Sequence, residues 1–315
     1  MSDDRVTNAV ASMDAARAAV DPTRRRETCN VCGTAHDSRH DETADVPCHV
    51  RVFRGHLFRL WRCSVCRTIH CLDVVDLDYY YSKYPFSQAR LDLVWRIFYM
   101  NLARRFIRHG MTPAHRFLDY GCANGLFCTA LRGRGFRNVY GYDPYSANSA
   151  FADERVLEHA PFDYILLQDV LEHVEDPNAL LARLDRLLAV GGHILVGTPN
   201  AQKVDLSRPD VFRNELHAPY HLHIYTRSGV ERMGQTLGWH AVKFYDRSYH
   251  DRPWFALNTR AAKTYQSLKD GSFDAFFEPF DIRTALGSPS FWFHAVFGYW
   301  LSYRSDMSLM FRKGD

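Results

Sequence analysis

The chain has 315 residues, 46% of them hydrophobic and 24% charged, with a formal net charge of +3. That composition is globular and long enough for one large core plus an appended module. Near-balanced charge, with no basic run beyond Arg24-Arg25-Arg26, argues against a nucleic-acid face, and no apolar run reaches the length of a membrane span. The first 26 residues are polar, with acids at Asp3, Asp4 and Asp14 and no apolar signal-peptide core. We expect a mobile N-terminus over 1–26 and a cytoplasmic location.

Eight cysteines in such a chain are thiols or metal ligands rather than disulfides. Cys29-Asn-Val-Cys32 and Cys63-Ser-Val-Cys66 form two C-x-x-C knuckles, with strand-like Val50–Phe53 and Leu57–Trp61 between them. Each knuckle offers two thiolates on one turn, so the pair predicts a closed, structural zinc site in a ribbon spanning 27–84. Cys48, His49, His70 and Cys71 are nearby competitors for the metal. Cys122 and Cys128, further on, read as packing residues. Tyr79-Tyr-Tyr-Ser-Lys-Tyr84 then connects to an apolar helical stripe over Leu91–His109. These tyrosines either form part of a lid or pack the ribbon on the core.

From Arg116 strands and helices alternate, predicting a right-handed parallel α/β sheet. Strands are expected near Arg116–Tyr120, Val139–Tyr142, Tyr164–Gln168, His193–Thr198, Ala241–Tyr245 and Ser308–Phe311. Helices are expected near Leu126–Arg134, Pro177–Ala189 and Ser228–Leu237. The first strand runs into Asp119-Tyr-Gly121-Cys-Ala123-Asn-Gly125, and the second ends in Asp143. Glycines there let a ligand approach the backbone, and a carboxylate about 20 residues on is placed to accept from two ribose hydroxyls. An acid ahead of the first glycine repels a pyrophosphate and favours a cation.

This segment resembles motif I of the class I S-adenosylmethionine-dependent methyltransferases. Phe162-Asp-Tyr-Ile-Leu-Leu-Gln-Asp-Val-Leu-Glu-His-Val-Glu-Asp-Pro177 resembles that family's fourth strand and following loop. Leu187–Asn200 resembles its helix end, Gly-Gly turn and fifth strand. The resemblance implies a Rossmann-like sheet over 85–248, completed by a terminal strand at 308–315. It places the cofactor, S-adenosylmethionine, against Asp119, Gly121, Ala123, Gly125, Leu126, Phe127, Asp143, Pro144, Gln168, Asp169 and Val170. Only 19 residues separate Asp143 from Asp163, so the family's third strand is reduced to Arg155–Glu158 at most.

Methyl transfer needs in-line positioning and, for a hydroxyl acceptor, a base. Candidates are His173 after the fourth strand, and His221 and His223 in Glu215-Leu-His-Ala-Pro-Tyr-His-Leu-His223 after the fifth. His221 is the first choice. With His217, the same loop is alternatively a metal site or an ordinary turn that pins the next helix. Residues 249–307 are an aromatic-rich insertion, offering a cap, a substrate wall or a homodimer face. Too few basic residues accompany Ser290–Tyr303 to favour a membrane-surface helix.

A zinc ribbon ahead of this core resembles a group of bacterial enzymes that methylate sugars, polysaccharides or secondary metabolites. Leu57–Tyr84 and the His-Leu-His loop carry that likeness. The chain is shorter than the group's sugar C-methyltransferases and lacks their second α/β domain. We therefore expect O-methylation of a small metabolite or glycan hydroxyl. C- or N-methylation, a tRNA or protein acceptor, and a non-catalytic cofactor-binding scaffold are the alternatives.

Overall fold

A computed structural model describes residues 20–85, 91–146 and 148–314. Its centre is a six-stranded sheet in the order β11-β12-β9-β8-β6-β7. Here β6 is Phe117–Tyr120, β7 Val139–Tyr142, β8 Phe162–Gln168, β9 Leu188–Pro199, β11 Trp239–Tyr245 and β12 Asp306–Lys313. β7, β6, β8 and β9 run parallel, while β12 is antiparallel to both β9 and β11.

Side-chain alternation explains why the sheet must be covered on both faces. Ile165 and Leu167 of β8, Ile194 and Val196 of β9, and Leu309 and Phe311 of β12 share one buried cluster with Leu181, Leu184, Val230 and Met233. Their intervening neighbours Leu166, Leu195 and Met310 join Leu102, Phe106, Phe127 and Leu131 on the other face. The helices Pro177–Leu187 and Arg227–Thr236 thus cover one side, and Leu93–Ile107 and Leu126–Arg132 the other. Asp92 and Asp176 start two of these helices by accepting the N–H groups of Trp95 and Ala179, each at 2.9 Å.

Two expectations need correction. Arg155–Glu158 is not a third strand, because Glu154–His159 forms a 3-10 turn after a short helix, Ser149–Ala152. Phe151 from that helix is buried against the glycine turn, its ring beside Gly125 and Gly141. The N-terminus is not unstructured throughout 1–26, since β1, Val20–Arg25, pairs antiparallel with β5, Asp73–Val75. Residues 1–19, including Asp3, Asp4 and Asp14, lie outside the described residues.

The ribbon is fused to the core. Its strands β2 (Glu42–Pro47), β3 (Leu57–Arg62) and β4 (Ile69–Cys71) are extended by β10, His223–Ile224, which comes from the loop after β9. His223 pairs with His70 and Ile224 with Ile69. Arg62, 4% exposed, donates to the carbonyls of Ala201 (2.8 Å) and Val204 (2.7 Å). Phe58, Leu60 and Ile69 share one apolar cluster with Leu216, Tyr220 and Ile224. The cap beyond Tyr249 has its own small cluster of Ala261, Tyr265, Ala285, Phe291 and Ala295. It meets the ribbon through Arg51–Asp270 (2.7 Å) and Arg54–Asp270 (2.8 Å).

Candidate active site and metal centre

The β6 turn takes the shape that its glycines allow. Gly121 has φ 81° and Gly125 φ 68°; a Cβ would lie 2.2 Å from Val170 Cγ2 at the first and 2.0 Å from Phe151 Cζ at the second. Gly125 also starts the helix Leu126–Arg132, which leaves that helix's first N–H groups facing the turn. Ala123 shares the left-handed conformation at φ 47°. Asp143, at the end of β7, accepts from the N–H of Ala123 and of Tyr145, each at 2.9 Å, and so ties the two loops together. Asp119 is 6% exposed, and burial pushes its carboxyl up to about 7.

Gln168, Asp169 and Val170 follow at the end of β8, one strand over. Asp169 holds φ 54° and accepts from Gln168 Nε2 at 2.8 Å. Leu126 and Gln168 are half-buried, Phe127 is packed in the core and Pro144 is exposed. The structure therefore gathers the expected cofactor residues along the carboxyl ends of β6, β7 and β8. In open α/β sheets this is where ligands bind.

Of the three histidines, two come together. The His173 and His221 rings lie 4.7 Å apart between centroids. His173 Nδ1 is 3.0 Å from the Tyr220 carbonyl oxygen and 3.0 Å from the Tyr81 hydroxyl. His221 Nδ1 is 2.7 Å from the Glu215 carbonyl oxygen. Burial pulls His221 down to about 4 and His173 well below its ordinary value, so both rings are neutral near pH 7. His223 lies apart from this pair, for β10 takes it into the ribbon sheet, its Nδ1 2.9 Å from His70 Nδ1. Pairing with β4 separates it from the other two histidines.

Other residues at this edge were given no site role, or a different one, from the sequence. Glu172, beside His173, is 0% exposed. Tyr84 binds His217 Nε2 at 2.9 Å, and His217 Nδ1 lies 3.3 Å from His49 Nε2. The Tyr79–Tyr84 run was the signal for the tyrosines. Tyr84 packs against the loop, its ring tilted on those of Tyr220 (4.8 Å) and Phe273 (5.6 Å). His49 drew notice only as a competitor for the ribbon metal, and nothing in sequence spacing marked Phe151.

The four knuckle sulfurs all lie within 4.8 Å of one another, with Cys29 3.3 Å from Cys66 and Cys32 3.6 Å from Cys63. The two knuckles repeat one backbone motif. Gly33 N–H donates to the Cys29 carbonyl (2.8 Å) and Arg67 N–H to that of Cys63 (3.0 Å), with φ 73° and 64°. The hydrogen bond from Cys29 pulls Cys66 down to about 4, and the same contact pushes Cys29 up. The competing Cys48, His49, His70 and Cys71 are not part of this group.

A Rossmann-like α/β sheet with a glycine turn and a carboxylate at its ligand-binding edge defines a nucleoside-binding domain of the methyltransferase type. Residues 93–243 match the model of a family described as a methyltransferase domain, and this segment belongs to the class I, S-adenosylmethionine-dependent methyltransferases. The chain is similar to a ubiquinone biosynthesis O-methyltransferase of Maricaulis maris (strain MCS10), 36% identical over 104 residues, 27% of this chain and 41% of that protein. It is likewise similar to one from Caulobacter sp. (strain K31), 32% identical over 116 residues, 29% of this chain and 44% of that protein. The chain thus spans less than half the length of these relatives. Among solved structures, a methyltransferase from Archaeoglobus fulgidus is similar at 17% identity and TM-score 0.42, with 75% of this chain and 100% of that one covered. No helix among the described residues is long and apolar enough to cross a membrane.

Proposed function

We propose that the chain transfers a methyl group from S-adenosylmethionine to a hydroxyl of a small metabolite or glycan. One observation carries this reading: the glycine turn with Asp143 and the pair of half-buried His173 and buried His221 stand on the same carboxyl edge of the sheet. Asp143 is positioned for the ribose, and the turn's N–H groups and apolar Leu126, Phe127 and Val170 for the rest of the cofactor. Asp119, held near neutrality by burial, becomes a carboxylate when the cationic ligand arrives. The O-methyltransferase names of the relatives support oxygen as the acceptor atom.

The acceptor hydroxyl would meet the His173–His221 pair. Each Nδ1 faces a backbone carbonyl, which can only accept, so each Nδ1 carries the proton and each Nε2 keeps a lone pair. A neutral imidazole with that lone pair takes the hydroxyl proton as the oxygen attacks the methyl; the carbon–sulfur electron pair leaves on sulfur. His221 remains the first choice of base. The tetrathiolate donor set fits zinc, whose role would be to hold the ribbon together. Exposed Trp292, Phe293, Phe297 and Trp300 give the cap an apolar face suited to a second copy of the chain.

Incubation with methyl-labelled S-adenosylmethionine and a panel of phenols and sugars tests the reading. Label recovered on an acceptor oxygen is expected. Recovery only on carbon or nitrogen, or on no acceptor, contradicts it.

A further inference from the structure

Glu172 poses a problem that the base mechanism leaves unanswered. It is 0% exposed, and neither of its carboxylate oxygens has a hydrogen-bond partner. A buried carboxylate without a partner is costly, and native structures normally give it a cation or donors. One of its oxygens and one ring nitrogen from each of His173 and His221 lie within 4.8 Å of one another. Both imidazoles face backbone carbonyls through Nδ1, at 3.0 Å to Tyr220 and 2.7 Å to Glu215. Metal-ligating histidines characteristically donate their second ring N–H in this way, which fixes the tautomer and leaves the ligand lone pair on Nε2.

We propose that Glu172, His173 and His221 form a divalent-cation site, distinct from the four-cysteine centre. Its location at the acceptor edge rests on the methyltransferase reading, but its capacity to bind a metal does not. Two imidazoles and one carboxylate suit manganese, iron(II) or zinc, and leave positions open for water or for an acceptor oxygen. The four thiolates of the ribbon are, in contrast, a closed set. With the cation bound, the histidine lone pairs would hold the metal, and the base role that they have in the metal-free site would pass from them. An acceptor hydroxyl on the cation loses its proton to solvent more readily, and the resulting alkoxide takes the methyl as the carbon–sulfur electron pair leaves on sulfur. The two ligand-bearing loops follow β8 and β9, so the cation would also pin the loop that enters the ribbon as β10.

Manganese(II) alone is the appropriate probe, because it prefers nitrogen and oxygen ligands to thiolates. The full chain, with its zinc content measured, is titrated with manganese(II) by calorimetry and by electron paramagnetic resonance. S-adenosylhomocysteine binding is measured in parallel. We expect one manganese per chain with zinc retained, and a loss of about 100-fold or more in manganese affinity for both Glu172→Gln and His221→Gln. Zinc content and S-adenosylhomocysteine affinity should persist in at least one of the two variants, which shows that it is folded. Wild-type protein that binds no manganese overturns the proposal, as does undiminished manganese binding in both variants. Failure of S-adenosylhomocysteine to bind wild type refutes the methyltransferase reading alone, and the manganese titration still decides the metal site.

Discussion

At the scale of single residues, the cofactor edge depends on conformations that few side chains tolerate. Gly125→Ala would place a methyl into the Phe151 ring, at a φ of 68° that costs an L-residue about 1–2 kcal/mol before any clash. We expect this variant to lose cofactor binding and to melt earlier, as judged by calorimetry and circular dichroism. Asp143→Ala removes an acceptor for two backbone N–H groups and the proposed ribose contact. A hydrogen bond to a charged group contributes about 1.5–3 kcal/mol, so affinity should fall by roughly tenfold or more. Unchanged affinity would remove Asp143 from the site.

Buried histidines also set the response to acid. Burial lowers His49 and His250 to about 3 from 6.5. Between those values the unfolded chain binds their protons and the folded chain does not, so stability is full above 6.5 and declines as pH falls. Asp119, raised by burial to about 7, retains its proton in the folded state and opposes that decline. His250→Gln should therefore reduce the slope of unfolding free energy against pH by about 1.4 kcal/mol per unit between roughly pH 4 and 5.5. Urea denaturation across that range measures it. An unaltered slope would mean that His250 is protonated in the folded chain.

Among elements, β10 has the greatest influence for its size. Two residues, His223 and Ile224, complete the ribbon sheet and fix the segment that begins at His217. The knuckle itself touches the core where the Thr226 hydroxyl reaches the Cys66 carbonyl (3.3 Å) while accepting from Gly229 N–H (3.0 Å). Loss of the ribbon should then be felt at the histidines. Cys29→Ser is expected to lose bound zinc and lower the melting temperature. It should weaken acceptor turnover more than S-adenosylhomocysteine binding, because the ribbon sheet is joined through β10 to the histidine loop. Zinc retained in full stoichiometry with unchanged melting would contradict this account.

The parallel strands, the knuckles and the glycine turn were legible in the sequence because each is written in local spacing. Asp119, Gly121, Gly125 and Asp143 sit at fixed offsets from short apolar runs, and the two C-x-x-C pairs repeat one turn. What was not legible depends on contacts far apart in the chain. His223 stood as a candidate base behind His221 two residues away, and its pairing with His70 in the ribbon sheet separates them. Glu172 was one more acid in a motif until the fold buried it with both carboxylate oxygens unpartnered. Arg155–Glu158 suggested a strand by its position alone, whereas Asp153 caps a 3-10 turn there by accepting the Arg155 N–H.

For the whole molecule, core, ribbon and cap converge on one place. Phe273 of the cap donates its N–H to the His49 carbonyl (2.8 Å), and its ring lies 4.5 Å from His217. Lys263 of the cap pairs with Glu215 at 2.5 Å, so the loop that supplies His221 is held from three sides. Such an arrangement would hold the proposed acceptor side in one geometry. The cap's exposed aromatic face would be satisfied by a second chain. Trp300→Glu should shift a dimer to monomer in sedimentation, and a wild-type monomer would dismiss that assembly.

The proposed methyl transfer depends on the edge of the sheet being an S-adenosylmethionine site. The direct measurement is a calorimetric titration of the zinc-replete chain with S-adenosylhomocysteine, which binds without turnover. The account predicts one site per chain, weakened roughly tenfold or more by Asp143→Ala. Absence of binding to the wild-type chain, with its fold and zinc intact, would contradict it.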